Sequence, residues 1–227
     1  MKYAFFDVDN TIYHGYSGDE ILFFVNDKFH KAEQIVASYL KVLTAYRAKK
    51  ATYLQLTQKS LNSVSEAVKG LTFNQISELV SEMLSLKNPL LNEWAPSVFK
   101  YLKLNNFKII LVSAGPEFVI KNIAEKIKAD EYFATKIPYK NKKFTGEPVT
   151  MLNFKLKTQV ISGHLKNSQF SIGFGDSVGD IPILKLVDLA FVFESHHYPG
   201  MKEFVKKIKW HTFTRSLEVL KILKKIS

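Results

Sequence analysis

The chain has 227 residues, of which 46% are hydrophobic, 23% charged and 13% aromatic; that is enough apolar content for a folded core and excludes a disordered chain. It contains no cysteine, which excludes disulfides and thiolate metal sites and fits a reducing compartment such as the cytoplasm. The formal charge is +11, nearly all from lysine, and Arg47 and Arg215 are the only arginines. Readers of bases and phosphates lean on arginine, so nucleic acid is an unfavoured partner and a solvated lysine surface is the better reading.

The opening residues MKYAFF do not form a signal peptide, because Asp7 interrupts the apolar run at once. No stretch approaches the roughly 18 apolar residues of a membrane span. A cytoplasmic protein without a membrane segment is expected. Lys2 to Phe6 predicts a short strand buried on both faces. In SGDEILFF, Ser17 and Glu20 have capping-box spacing and open a helical region; Thr72 and Gln75 repeat the device in TFNQISELVSEML. Between them lies helical patterning without a convincing strand, and Lys69-Gly70 reads as a helix stop.

The pattern changes after Pro89. APSVFKYLKLNNF predicts a helix, KIILVSAG a second buried strand, and GPEFVIKNIAEKI a helix with Pro116 near its first turn. YFATKIPYKNKKFTGEP predicts a hairpin turning near Asn141. A helix is expected from about Lys157 to His164. QFSIGFGDS reads as a third strand, DIPILKLV as a helix, LAFVF as a fourth strand, KWHTF as a fifth, and SLEVLKILKKI as a closing amphipathic helix. The alternation implies an α/β fold with a parallel sheet covered by helices, and a helical block inserted after the first strand.

Three of the strands end in polar residues: Asp7-Val8-Asp9, Ser113-Ala114-Gly115, and Gly175-Asp176-Ser177 with Asp180 one turn later. In an open parallel sheet, ligands sit outside the carboxyl ends of the strands, so these groups converge on one crevice. Four carboxylates there would repel, and a cation must hold them. Hard oxygen donors without a histidine or cysteine cluster suit Mg2+. The hydroxyls of Thr11 and Ser113, and the N–H groups of Ala114 and Gly115 before a helix, complete a pocket for a phosphate group.

In this order, DVDNT, LVSAG and GDSVGD, each after an apolar strand, resemble the motifs of the haloacid dehalogenase superfamily. The inserted helices resemble its helical cap, and the pattern along nearly the whole chain is similar to the phosphoserine-phosphatase-like branch. The resemblance implies a Rossmann-like core with helices on both faces, residues 1–14 and 90–227, and an all-helical cap, residues 15–89. It implies a Mg2+-dependent phosphatase acting on a small phosphorylated metabolite. Asp7 would be the nucleophile that forms an aspartyl-phosphate. Asp9 would protonate the leaving alcohol and then activate water.

Asp7, the backbone carbonyl of Asp9, and Asp176 would bind the metal. Thr11 and Ser113 would hold phosphoryl oxygens, with Asp180 and Ser177 supporting from behind. The family's lysine before the third motif falls on Lys157, with Lys155 as runner-up; MLNFKLK stands where a glycine-rich approach is usual. Similar phosphatases of phosphoserine use a cap glutamate and a cap arginine. Here Tyr16 occupies the early cap position, Asp19 and Glu20 follow, and Arg47 is the only cap arginine.

Tyr13 and His14 are candidates for the pocket wall, with a surface role as the alternative for His14. His196 and His197 are expected in a solvated loop. The competing functional reading is a catalytically silent, basic nucleic-acid- or partner-binding protein on the same fold.

Overall fold

The computed structural model describes residues 1–30, 32–87, 89–195, 200–208 and 210–225. His196 and His197 lie outside the described residues. β1 (Lys2–Phe6) sits inside a six-stranded sheet of order β3-β2-β1-β6-β7-β8. Its neighbours are β2 (Phe107–Pro116) and β6 (Phe170–Gly175), and Phe6 pairs with Leu111 on one side and Phe174 on the other. β3 (Glu131–Thr135) forms one edge; β7 (Leu189–Phe193) and β8 (His211–Phe213) complete the other side. Every pairing in this sheet is parallel.

The strands are apolar throughout because both faces are covered. Alternate residues go to opposite sides. Ala4, Phe6, Ile109, Leu111, Ile172 and Phe174 join one core cluster. Tyr3, Phe5, Ile110 and Val112 join another with Ile161 and Ile183. On the first face the rings of Phe6 and Phe174 stack at 4.4 Å, and Phe174 stacks in turn on Phe191 at 5.0 Å and Trp94 at 5.5 Å.

Four helices follow β1: α1 (Ser17–Phe29), α2 (Glu33–Arg47), α3 (Tyr53–Ala67) and α4 (Phe73–Ser85). Their apolar faces are continuous with the core of the sheet: Ile21, Leu22, Leu61 and Ile76 share one cluster with Ile109 and Phe118. α5 (Ala95–Leu104) leads into β2, α6 (Glu117–Ile127) into β3, and α7 (Phe154–Leu165) into β6. α8 (Ile181–Leu186), α9 (Lys202–Ile208) and α10 (Ser216–Leu223) follow. The closing helix buries Val219 and Leu223 and packs on α5, which accounts for its apolar stripe.

The capping box at Thr72 and Gln75 is present, and a second stands at Thr52 and Gln55. Ser17 and Glu20 do not form one: Tyr16 takes the cap position, the Ser17 hydroxyl bonds Asp9, and Glu20 accepts from Tyr13 and Lys87. The expected long hairpin is two elements. Tyr132 to Thr135 belong to the parallel edge strand. Only β4 (Tyr139–Lys140) and β5 (Lys143–Phe144) pair as a hairpin, turning through Asn141 and Lys142 at φ 50° and 63°. α7 starts earlier than its periodicity indicates because Asn153 caps it, accepting from the Leu156 N–H at 3.2 Å. α9, seven residues long with only Val205 buried, has too short an apolar pattern to register in the sequence.

Phe174 contacts aromatic rings from four neighbouring segments. Phe174→Ala is expected to lower the unfolding free energy by about 3–5 kcal/mol, read as a shift in urea midpoint with an unchanged slope.

Candidate active site

The chain leaves β1 in register with β6, since the Asp7 N–H still donates to the Phe174 carbonyl at 3.0 Å. It then turns back sharply. The Val8 carbonyl accepts from the N–H groups of Thr11, Ile12 and Tyr13, and Asn10 takes a left-handed φ of 56°. The turn returns Thr11 to the strand end, where its hydroxyl lies 3.4 Å from Asp7 Oδ2 and 3.3 Å from Asp176 Oδ1. Asn92 fixes the turn from outside: its amide donates to the carbonyls of Asn10 at 3.0 Å and Thr11 at 2.8 Å.

Asp7, Asp176 and Asp180 are all buried, and one oxygen from each lies within 4.8 Å of the others. Lys157 enters from α7 and donates to Asp7 Oδ1 at 3.0 Å and to Asp180 Oδ1 at 3.2 Å. Lys157 is 3% exposed, whereas Lys155 lies on the outer face of the same helix. Asp180 Oδ2 accepts from the N–H groups of Asp176 and Ser177 and from the Ser177 hydroxyl. Asp180 therefore holds the lysine while being held by the backbone. Asp176 Oδ2 accepts from Ser195 at 2.7 Å.

Burial, reinforced by Asp180, pushes the Asp7 carboxyl well up from its ordinary value, and Lys157 opposes the shift. Asp176 is pushed up to about 8, by burial first and then by Asp180. Burial alone would lower the Lys157 ammonium, but Asp7 and Asp180 outweigh it and raise it. Were all three carboxyl groups ionised, one ammonium would leave two negative charges uncompensated, and burial with mutual repulsion therefore holds Asp7 and Asp176 toward the protonated form. Asp7 Oδ2 and Asp176 Oδ1 share only the long contacts from Thr11. All the donors are hard oxygens. The set fits a divalent cation of the Mg2+ type.

Asp9 points elsewhere. Its carboxylate accepts from the Ser17 N–H at 2.9 Å and the Ser17 hydroxyl at 3.1 Å. Burial pushes it up to about 6; the Ser17 bonds oppose that shift, and Asp19 and Glu20 add to it. At the end of β2, Ser113 is buried and its hydroxyl accepts from the Gly115 N–H at 2.9 Å. The Ala114 carbonyl accepts from Thr135 at 2.7 Å. A Cβ on Gly115 would stand 2.5 Å from Ser17 Oγ and 3.2 Å from Ser113 Oγ, so this glycine lets the Ser113 and Asp9 arms meet.

Asp7, Thr11, Lys157, Asp176, Ser177 and Asp180 are thus linked at the strand ends, whereas Asp9 is turned onto Ser17 and Ser113 is bonded within its own loop. Two candidates for the pocket wall do not belong there. Tyr13 is fully buried in the core beneath α1, and His14 is exposed and bonded to Asn92. Ser195, Asn92 and Ser17 were not anticipated. Ser195 lies just beyond β7, the strand next to β6, so the strand-end rule that located Asp176 also points to it.

The haloacid dehalogenase-like hydrolase family matches this sequence over residues 4–185. The chain belongs to this family. None of the curated proteins compared with it matches. Among solved structures, a protein of unknown function from Bordetella pertussis Tohama I superposes with a TM-score of 0.76 at 21% identity, covering 93% of this chain and 97% of its own. A substrate-bound phosphoserine phosphatase reaches 0.69 at 22% identity over 100% of this chain and 99% of that one. A phospho-aspartyl intermediate analogue of phosphoserine phosphatase reaches 0.68, also at 22% identity with the same coverage. These likenesses show that the chain shares its fold with phosphoserine phosphatases.

The hydrolase site depends on a close approach at the end of β6. A Cβ on Gly175 would lie 2.4 Å from the Cβ of Asp180. Gly175→Ala is expected to destabilise by about 1–3 kcal/mol in urea unfolding, because α8 must move and take Asp180 with it. At Gly163, inside α7, an added Cβ meets nothing within 4 Å. Gly163→Ala is expected to be stabilising by about 0.5–1 kcal/mol in the same measurement.

Proposed function

We propose that this chain is a Mg2+-dependent phosphatase that hydrolyses a small phosphomonoester through an aspartyl-phosphate on Asp7. The observation that carries this reading is the buried group of Asp7, Asp176 and Asp180 around one lysine, with Asp9 held apart on Ser17. The fold it shares with phosphoserine phosphatases supports it.

Asp7 and Asp176, with the backbone carbonyl of Asp9, would hold Mg2+. When bound, the ion offsets negative charge on the phosphoryl group and the carboxylates. An Asp7 carboxylate oxygen attacks phosphorus; the new O–P bond forms as the bond to the alcohol oxygen breaks. Asp9 gives its proton to the departing alcohol. It then takes a proton from the water that attacks the aspartyl-phosphate, which releases phosphate and restores Asp7. A carboxyl pushed up to about 6 suits both halves of that exchange, since it gives and recovers a proton near neutral pH.

Thr11, Ser113, Lys157 and the N–H groups of Ala114 and Gly115 hold the phosphoryl oxygens in this reading. Asp180 and Ser177 position Lys157. Residues 15–89 act as the cap that admits substrate and excludes water, and residues 1–14 and 90–227 form the catalytic core. The substrate is a small phosphorylated metabolite of the cytoplasm.

A panel of phosphomonoesters with Mg2+ tests the proposal. The wild type should hydrolyse at least one of them. Chelation with EDTA should abolish turnover and added Mg2+ should restore it. Asp7→Asn should fall to background, a loss of about 10³-fold or more. Hydrolysis undiminished in Asp7→Asn would remove the nucleophile assignment. Lys157→Met should lose about 10²-fold or more in kcat while Lys155→Met stays near wild type; the reverse order would move the lysine role to Lys155.

A further inference from the structure

We propose that Ser195 is a positioning residue for Asp176, and that its hydroxyl turns one oxygen of that carboxylate toward Asp7, where a divalent cation binds; this rests on the metal site of the phosphatase reading and adds a residue to it. Ser195 stands outside residues 4–185, the span that the family matches. The sheet brings it to the site. β7 runs beside β6 with Val192 opposite Gly175, so the chain leaves both strands side by side. The Glu194 N–H donates to the Phe213 carbonyl of β8 at 2.9 Å. The Ser195 N–H then folds back onto the Phe193 carbonyl at 2.8 Å, a tight three-residue turn. The Phe193 ring packs against Trp94 and Phe213, which anchors the strand end from which Ser195 departs. The hydroxyl reaches Asp176 Oδ2 at 2.7 Å, an ordinary length for a hydroxyl donor.

The three acids differ in what holds them. Asp7 and Asp180 each accept from the Lys157 ammonium, and Asp180 is also held by two backbone N–H groups and the Ser177 hydroxyl. Among the described residues the Asp176 carboxylate carries no ion pair and has two donors, both hydroxyls. Thr11 is the weaker of the two. It lies 3.3 Å from Asp176 Oδ1 and 3.4 Å from Asp7 Oδ2, and its single proton serves one of them at a time. The last torsion of an aspartate is broad and two-fold, so a donor decides where the oxygens point. Ser195 is that donor. With Oδ2 on Ser195, Oδ1 is left on the Thr11 side, which is also the side of Asp7 Oδ2. A cation then meets an oxygen that is already set, and less ordering is needed when it binds.

Mn2+ takes the same hard oxygen ligands as Mg2+, and the free ion is counted by electron paramagnetic resonance, so a titration of the whole chain reads the site without turnover. The wild type should bind Mn2+, Mg2+ should displace it, and Asp176→Ala should remove it, which assigns the ion to this site. Ser195→Ala should weaken Mn2+ by about tenfold or more, whereas Ser195→Thr, which keeps a hydroxyl, should stay within about threefold of the wild type. Ser171→Ala is the structural control. Ser171 is buried near the start of β6, and its hydroxyl donates to Asp188 Oδ2 at 2.6 Å, away from the site. Losing that bond should lower the urea midpoint and leave the Mn2+ affinity unchanged.

A Ser195→Ala variant that binds Mn2+ as the wild type does overturns the proposal. So does a Ser195→Thr variant as weak as Ser195→Ala, a Ser171→Ala variant that loses Mn2+ equally, or binding that is absent from the wild type or survives Asp176→Ala. A Ser195→Ala chain that is unfolded without urea overturns it too, because the role claimed is local. If the Ser195 pattern holds while no phosphomonoester is turned over, the positioning role stands and the phosphatase reading falls. If phosphomonoesters are hydrolysed while Ser195→Ala keeps its Mn2+, the phosphatase reading stands and the positioning role falls.

Discussion

Lys157 stands between Asp7 at 3.0 Å and Asp180 at 3.2 Å, and nearly all three side chains are out of contact with water. Burying any one of these charges alone would be prohibitive, and the lysine and the two acids are tolerable only together. This requirement sets the local architecture. The lysine must arrive from α7, the first acid from β1, and the second from the turn after β6. That turn can come close enough only because Gly175 has no side chain in the way of Asp180. Asp176 adds a third carboxyl to a group that one ammonium cannot neutralise when all three are ionised, and such a set of hard oxygens fits a cation.

The same strand end separates two acids by their surroundings. Asp7 faces the lysine and the other carboxylates, where it is fixed and crowded. Asp9 faces the helical side and is held by one residue, Ser17, through both its N–H and its hydroxyl. Two residues of spacing on an ending strand would carry both side chains to the same face. The sharp turn closed by Val8 and Asn10 releases them to different environments instead.

Much of this was legible in the sequence. The buried strands were readable because parallel strands covered on both faces are apolar at every position, and polar residues at their ends then stand out. Asp7, Ser113, Asp176 and Asp180 were found in this way. Lys157 was harder to read, since lysine is abundant; its burial depends on where α7 begins, and a cap at Asn153 sets that. Ser17 was misread because a serine before an acid three residues on looks like a cap, whereas a tertiary partner, Asp9, competes for its hydroxyl. Asn92 had no local signature, because its partner Thr11 lies 81 residues away, whereas Ser195 was within reach of the strand-end rule and was passed over. The edge strand β3 looked like half of a hairpin because a true turn follows it closely at Asn141.

The four inserted helices leave and rejoin the sheet side by side. The His14 N–H donates to the Leu90 carbonyl at 3.1 Å, the Asn92 N–H to the Ile12 carbonyl at 2.9 Å, and the Asn92 side chain to Asn10 and Thr11. The backbone that joins those helices to the sheet is therefore the same stretch that presents Thr11 to Asp7 and Asp176. The attachment of the helices and the setting of the Thr11 hydroxyl share one mechanical joint, so a displacement of either would be felt at Asp7 and Asp176.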